Sequence, residues 1–131
     1  MTIFDLDQPG KWFDIEGGGR LQLRTMTAEK HKEIRRKTVK KKVDFKKVEG
    51  TPARFESEDV NEDLSNELFW DHVIVAWENF FDAKKKPIPC TTENKMMLIS
   101  RSSKFMKFVS DCLKDLAEAE AEDAKAEEKN L

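Results

Sequence analysis

The chain has few of the residues on which catalytic and metal sites depend. Its 131 residues include two cysteines and two histidines. Two cysteines do not make the disulfide framework of a small secreted protein. Cys90 and Cys112, taken with His31 and His72, match no recognised zinc-ligand spacing. We therefore expect no metal site and no cofactor.

Recognisable catalytic groups are equally scarce. Hydrolytic or transfer chemistry needs a nucleophile beside a base, two carboxylates in separated environments, or a metal. Cys90 with His72 is a conceivable nucleophilic pair, but neither residue lies in a recognised catalytic signature. We favour a His72 that is packed or paired with a carboxylate, and we expect a protein that is not an enzyme.

Long apolar runs are also missing. The longest is far too short to span a bilayer, and no charged-then-apolar leader precedes Phe4. We therefore expect a cytoplasmic protein with no membrane partner.

Charge, by contrast, is abundant and segregated. Charged residues make up 38% of the chain, and the net charge of −2 conceals three blocks. Residues 29–47 hold ten Lys/Arg and three acids, residues 56–71 hold seven acids and no base, and residues 115–131 hold seven acids and two lysines. Blocks of opposite sign favour pairing within the chain or steering of a charged partner.

The most apolar stretch, residues 59–83, is predicted to be a central helix. Asp59 is a candidate N-cap, and Glu62 follows it at capping-box spacing. From Leu68 onward the apolar residues leave more than one side of a helix. A helix that is apolar nearly all round must be covered nearly all round, so we expect the other segments to wrap it and a partner to meet what they leave exposed.

The segments before the central helix predict a hairpin, a basic helix and a loop. Glycines 17–19 separate two short alternating segments, which predicts a β-hairpin over 11–26. Thr27 is an N-cap for a helix over 27–43, and Gly50 and Pro52 indicate a loop over 44–58. The basic helix 30–47 could bind nucleic-acid phosphates. We prefer a solvated face, because no interleaved aromatic residues offer stacking platforms for bases.

The C-terminal part predicts two further helices and a tail. Pro87 and Pro89 end the central helix. Thr91 or Thr92 caps a short helix over 91–101, and an amphipathic pattern predicts a helix over 103–117. Residues 118–131 read as a frayed acidic tail, and residues 1–10 as an N-terminal arm. The predicted fold class is thus mainly α: one small helical domain over 11–117 around a central apolar helix, with an N-terminal β-hairpin and an acidic C-terminal tail.

The stretch 70–116 resembles the tail assembly chaperones of long-tailed bacteriophages. The similar features are an apolar helix ending in Trp77 and Glu78, a polar turn at 82–86, a proline-bearing link, a helix opening on Thr92 and a second helix carrying Phe105 and Val109. The N-terminal half is similar too, with a strand containing Trp12, a glycine turn, a strand ending at Arg24 and a charged helix. The very basic helix before Lys47 and the PIPC spelling of the link depart from the family pattern.

The resemblance implies a non-enzymatic role in tail assembly. Such chaperones bind the tape measure protein, help recruit tail tube protein subunits in the host cytoplasm, and are absent from the mature virion. A chaperone of long helices needs an exposed apolar groove and a charged exterior. We predict that five residues border this partner surface: Trp12, Phe13, Met96, Met97 and Phe105.

Other interpretations stay open at this point. The methionines are equally suited to filling an ordinary core. A homo-oligomer is one way to cover the hairpin edges and the over-apolar helix. The main alternative function is a nucleic-acid-binding or regulatory module that uses the basic helix 30–47, although we do not expect nucleic acid as a partner. A structural tail component is a further alternative, which would be found in purified virions.

Overall fold

The computed structural model describes residues 1–2 and 9–129, and these residues form five strands and four helices. Most of the N-terminal arm predicted at 1–10 and the last two residues of the predicted tail lie outside the described residues. In chain order the elements are β1 (Lys11–Asp14), β2 (Arg20–Leu23), α1 (Ala28–Thr38), β3 (Val39–Val48), β4 (Thr51–Val60), α2 (Glu62–Val73), β5 (Ile74–Glu78), α3 (Thr92–Arg101) and α4 (Ser103–Lys129).

The prediction of a mainly α fold is wrong, because two antiparallel sheets accompany the helices. One sheet has three strands in the order β1-β2-β5, and the other consists of β3 and β4. We predicted a single helical domain over 11–117, but the contacts group the chain into two compact units. The first unit is Met1–Met26 with Trp70–Leu131, and the second unit is Thr27–Phe69.

The hairpin predicted over 11–26 is confirmed as β1 and β2, which pair in antiparallel register from Lys11↔Leu23 to Asp14↔Arg20. Gly17 and Gly18 both have positive φ, which a residue with a Cβ rarely adopts. The inner strand of this hairpin, β2, also pairs with β5, and Leu21 and Leu23 on β2 are completely buried.

The central helix predicted over 59–83 is wrong in extent. Helix α2 begins after Asn61, whose Oδ1 accepts a hydrogen bond from the Leu64 N–H at 3.2 Å, and it ends at Val73. The chain continues as β5, in which Ile74 and Trp77 are buried. Its β-branched and aromatic residues favour a strand, and β2 supplies the partner. The apolar residues pointed in several directions because they serve two elements and not one wrapped helix.

The basic helix predicted over 27–43 and the loop predicted over 44–58 are also wrong. Thr27 caps α1 as predicted, accepting from the Lys30 N–H at 3.1 Å, but the helix ends at Thr38. From Val39 the chain forms a hairpin of ten cross-strand pairs. Its two-residue turn, Glu49 and Gly50, has positive φ at both positions, as a type I′ turn requires. Val, Phe and Thr recur often enough among the lysines to favour strands once a partner strand is present.

The last two helices were predicted in place. The Thr91 hydroxyl caps α3 by accepting from the Asn94 N–H at 3.2 Å, and the extended residue Ser102 separates α3 from α4. Helix α4 continues to Lys129, so described residues 118–129 of the predicted frayed tail are helical. Helix α4 contacts β2 and α3, and its buried residues Phe105, Val109 and Cys112 lie in its first half. This packed half provides the nucleus from which a run rich in Ala and Glu extends.

The core of the first unit lies where β2, β5, α3 and α4 meet. Its buried apolar residues are Leu21, Leu23, Val73, Ile74, Trp77, Ile99, Phe105, Val109 and Cys112. In the second unit, Ile34 and Thr38 are buried on α1. None of the helices in the described part of the chain has the length and apolar character needed to cross a membrane.

Candidate partner-binding cleft

Three aromatic rings pack together in the first unit, and two of them, Phe80 and Phe105, line a cleft. Trp77 stacks on Phe80 with ring centroids 5.1 Å apart, and Phe105 meets the edge of each at 6.3 Å and 6.0 Å. The Trp77 indole N–H donates to the Ile88 carbonyl at 2.7 Å. This bond ties the end of β5 to the proline-bearing link and holds the rings in place.

A tight polar turn at 82–86 shapes the next part of the wall. The Asp82 carboxylate accepts from the backbone N–H groups of Lys84 at 2.8 Å and Lys86 at 3.0 Å. The flanking residues Phe81 and Pro87 form an isolated antiparallel bridge. The turn therefore fixes Phe81 at the surface, where its side chain remains 57% exposed.

The cleft has a volume of about 490 Å³ and a mainly apolar lining. Its large apolar residues are Ile15, Phe80, Phe81, Ile88, Leu98, Phe105 and Phe108, and its charged residues are Glu16, Lys104, Lys107 and Asp111. Gly19 also lines the cleft. A Cβ at this position would lie 3.1 Å from the Phe80 ring. The third glycine of the turn thus lets Phe80 approach the backbone.

The thiols are poor nucleophiles. Burial raises the pKa of the Cys90 thiol and also that of Cys112, so both stay protonated at neutral pH. Among the described residues, no group of three or more His, Cys, Asp or Glu side chains could hold a metal ion. The arrangement in the cleft is suited to burying apolar groups of another molecule.

Of the five residues predicted to border a partner surface, only Phe105 lines this cleft. It is 9% exposed and acts mainly as part of the wall. Met96 is half-buried and Met97 is exposed, both on α3. Trp12 and Phe13 are half-buried on β1, with the Arg20 guanidinium 4.9 Å from the Trp12 ring and the Lys11 ammonium 5.6 Å from the Phe13 ring.

Sequence reasoning missed the residues that give the cleft its character: Phe80, Phe81, Ile88, Phe108, Lys104 and Lys107. Phe80 and Phe81 were assigned to the far end of a helix, where they carried no separate signal. Adjacent phenylalanines directly before a polar turn and two prolines were the available clue, because such a turn cannot bury both rings.

A second, basic cleft lies in the second unit, with a volume of about 420 Å³. Its lining is Lys32, Arg35, Arg36, Val39, Lys41 and Glu58. Glu58 is engaged by the Arg35 guanidinium, with both carboxylate oxygens at 3.0 Å. On the same helix, hydrogen bonds from Lys37 and then Lys30 hold the pKa of Glu33 below its usual value. Four cations against one carboxylate leave this cleft net positive.

Comparison with protein families gives a match over most of the chain. The model of a family described as YdaY prophage protein matches residues 20–130. Neither the curated proteins nor the solved structures include a match to this chain.

Proposed function

The chain belongs to the YdaY prophage protein family and is therefore phage-derived, and on this premise we propose that it is a tail assembly chaperone. In this role it binds the tape measure protein and assists tail tube assembly, without catalysing a reaction. It acts in the host cytoplasm and is left out of the mature virion. The family match includes the whole stretch 70–116 that resembles such chaperones.

The observation that carries the proposal is the apolar cleft with Phe81 exposed beside it. An exposed apolar patch with a charged border is typical of a protein interaction site. Amphipathic helices bind in such grooves through apolar residues at i, i+3, i+4 and i+7. The tape measure protein supplies long apolar helices, so one face of such a helix is the occupant that we propose for the cleft.

The charged border suits a partner that must later be released. Lys104, Lys107 and Asp111 lie at the cleft on α4 and are exposed. Charges at the solvent-accessible rim contribute little to affinity and more to the rate and orientation of binding. Affinity then depends on the apolar centre, and displacement by tail tube subunits does not have to break buried ion pairs.

Co-expression with the tape measure protein of the same prophage tests the proposal. We expect Phe81→Ser and Phe108→Ser to reduce the tape measure protein recovered on an affinity-tagged chain by about tenfold or more. Phe55→Ser is the matched control, because Phe55 is similarly exposed but belongs to the second unit. Full recovery with both cleft variants would contradict the proposal, and the chain in purified virions would indicate a structural tail component.

The basic cleft favours nucleic-acid binding as a second candidate function. Lys32, Arg35, Arg36 and Lys41 surround it, which is an arrangement that phosphates could occupy. In this case a gel shift at low salt should disappear steeply as salt is raised, and Arg36→Glu should weaken it. The chaperone proposal predicts no such shift, so the two functions are separated by one assay.

A further inference from the structure

The hairpin of β3 and β4, called the ribbon below, is exposed almost throughout. Of its 20 residues, only Val39 and Ala53 are half-buried. A two-stranded hairpin is at best marginally stable in water. Nevertheless the ribbon displays Phe45 at 74% exposure, Phe55 at 44% and Val43 at 43%. A marginal element that exposes two phenylalanine rings would be stabilised by a cover.

Regular pairing sorts the ribbon's side chains onto two faces. Ten cross-strand pairs run from Val39↔Val60 to Val48↔Thr51 without a register shift, so alternate residues lie on opposite faces. The Phe45 face carries residues 39, 41, 43, 45 and 47 with their partners 60, 58, 56, 54 and 52. The Phe55 face carries the remaining residues of both strands.

The middle of the Phe45 face is complementary to itself. Val43 lies opposite Glu56, and Phe45 lies opposite Arg54 one step nearer the turn. A two-fold axis across the strands, centred between these two pairs, stacks Val43 on Phe45 of a second copy and Glu56 on Arg54 of that copy. Each contact occurs twice, as a symmetric dimer interface requires. We propose that the ribbon is a dimerisation element and that its Phe45 face packs, antiparallel, on the Phe45 face of a second copy.

The charges at this centre favour the dimer, and those in the outer rows oppose it. Lys41 and Lys47 of the two copies come into the same row, and Glu58, across the ribbon from Lys41, is already engaged by the Arg35 guanidinium. Arg54 and Glu56 pair within one chain at 3.1 Å, and both side chains are largely exposed. Such an exposed pair contributes little, so its members are free to pair across the two copies.

The Phe55 face has less apolar surface to bury, because Phe55 is 44% exposed against 74% for Phe45, and Ala53 is already half-buried. A two-fold axis that stacks Phe55 on Phe55 also places Asp44 on Asp44 and Lys42 on Lys46. Pairing along the ribbon's edges is discouraged as well. In a two-residue hairpin the Lys47↔Pro52 pair is not hydrogen-bonded, so Pro52 removes an outward N–H from the β4 edge, while lysines line β3. Its greater exposed aromatic surface therefore assigns the Phe45 face to the second copy.

The inference does not depend on the proposed chaperone function, because every residue involved belongs to the second unit. Loss of the dimer would leave tape measure binding as a separate question, and loss of tape measure binding would leave the dimer untouched.

Sedimentation equilibrium of the nuclease-treated full chain tests the apolar centre. We expect the wild-type chain to be a dimer and Phe45→Ser to weaken it by about a hundredfold, since two phenylalanine rings lose their cover. Phe55→Ser is the matched control on the opposite face and should leave the dimer intact. Circular dichroism of each variant verifies that it folds. A monomeric wild type, a dimer lost on nuclease treatment, or equal effects of the two serine variants would each overturn the proposal.

Charge exchange tests the two-fold arrangement even if Phe45→Ser fails to fold. Arg54→Glu makes the central charges of both copies negative, and Glu56→Lys makes them positive. Each variant alone should dimerise about tenfold more weakly than wild type. Mixing the two should restore a dimer containing one copy of each, which native mass spectrometry resolves by mass. A mixture that stays as weak as its components would refute the antiparallel packing.

Discussion

Lys95 shows what a single residue contributes to the first unit. Its side chain is 9% exposed, and its ammonium group lies 3.1 Å from both the carboxylate and the backbone carbonyl of Asp71. The Thr92 hydroxyl donates to the same carboxylate at 2.7 Å. Lys95 therefore ties α3 to the end of α2, and the lysine stem fills space in the core.

Replacing this lysine should be costly. We expect Lys95→Ala to lower the free energy of unfolding by about 2–3 kcal/mol, because the variant loses both packing and charged hydrogen bonds. Lys95→Met keeps the stem and should cost about 1 kcal/mol. Urea denaturation measures both, and Lys114→Ala at an exposed site of α4 is the control. Equal stability of Lys95→Ala and Lys114→Ala would show that the bonds to Asp71 are not structural.

The two thiols should react slowly until the chain unfolds. Burial raises the pKa of Cys90 and Cys112, so the folded protein holds these protons more tightly than the unfolded chain does. The resulting contribution to stability is present below the ordinary thiol pKa and is lost as pH rises through the folded value. The alkylation rate of the Cys90→Ser and Cys112→Ser variants, each reporting the other thiol, should rise with pH and level off only above the ordinary thiol pKa. Rapid labelling of native protein at neutral pH would contradict this.

At the scale of elements, local signals were predictable and partner-dependent ones were not. The glycine turn, the Thr27 cap and a threonine cap for α3 depend on neighbouring residues alone, and each was predicted. The ribbon was missed because lysines and valines fit a helix or a strand, and ten cross-strand pairs decide between them. Likewise the apolar pattern of α2 continues into β5, and only pairing with β2 makes this segment a strand. The cleft was missed for the same reason. Phe80 and Phe81 line it because the chain leaves β5 before them, whereas the prediction placed both on a continuing helix.

The ribbon turn offers a test of this explanation. Glu49 has φ of 53° and Gly50 has φ of 79°, a conformation that costs a residue with a Cβ about 1–2 kcal/mol. Gly50→Val should therefore destabilise the ribbon by roughly that amount, and Glu49→Asn should stabilise it, because Asn-Gly is the preferred type I′ pair. Thermal denaturation followed by circular dichroism measures both. Opposite signs are the expected result, and two variants that melt together would show that the turn does not set the pairing.

At the scale of the whole molecule, charge segregation in the sequence becomes pairing within the second unit. Lys42 meets Asp59 at 3.5 Å and Arg35 meets Glu58 at 3.0 Å, so residues of the first basic block neutralise residues of the acidic block that follows. The acidic end of α4 contributes charge without comparable burial, since described residues 117–122 are all exposed. Its Glu120 accepts a hydrogen bond from the Thr25 hydroxyl at 2.9 Å.

Deleting residues 118–131 should thus change the electrostatics of the molecule more than its stability. The deletion removes six acids and two lysines, so the formal net charge changes from −2 to +2. We expect the unfolding free energy to stay within about 0.5 kcal/mol of the full chain. Solubility should be lowest near pH 5.8 for the full chain, where its net charge is near zero, and above neutral pH for the truncated chain. Turbidity measured against pH locates both solubility minima. The control is a deletion from residue 109, which removes the buried Val109 and Cys112 and should abolish folding. If the truncated chain is unfolded, the acidic end of α4 has a structural role. If the truncated chain folds and its solubility minimum moves to higher pH, the acidic end of α4 is the part that keeps the exposed aromatic surfaces in solution.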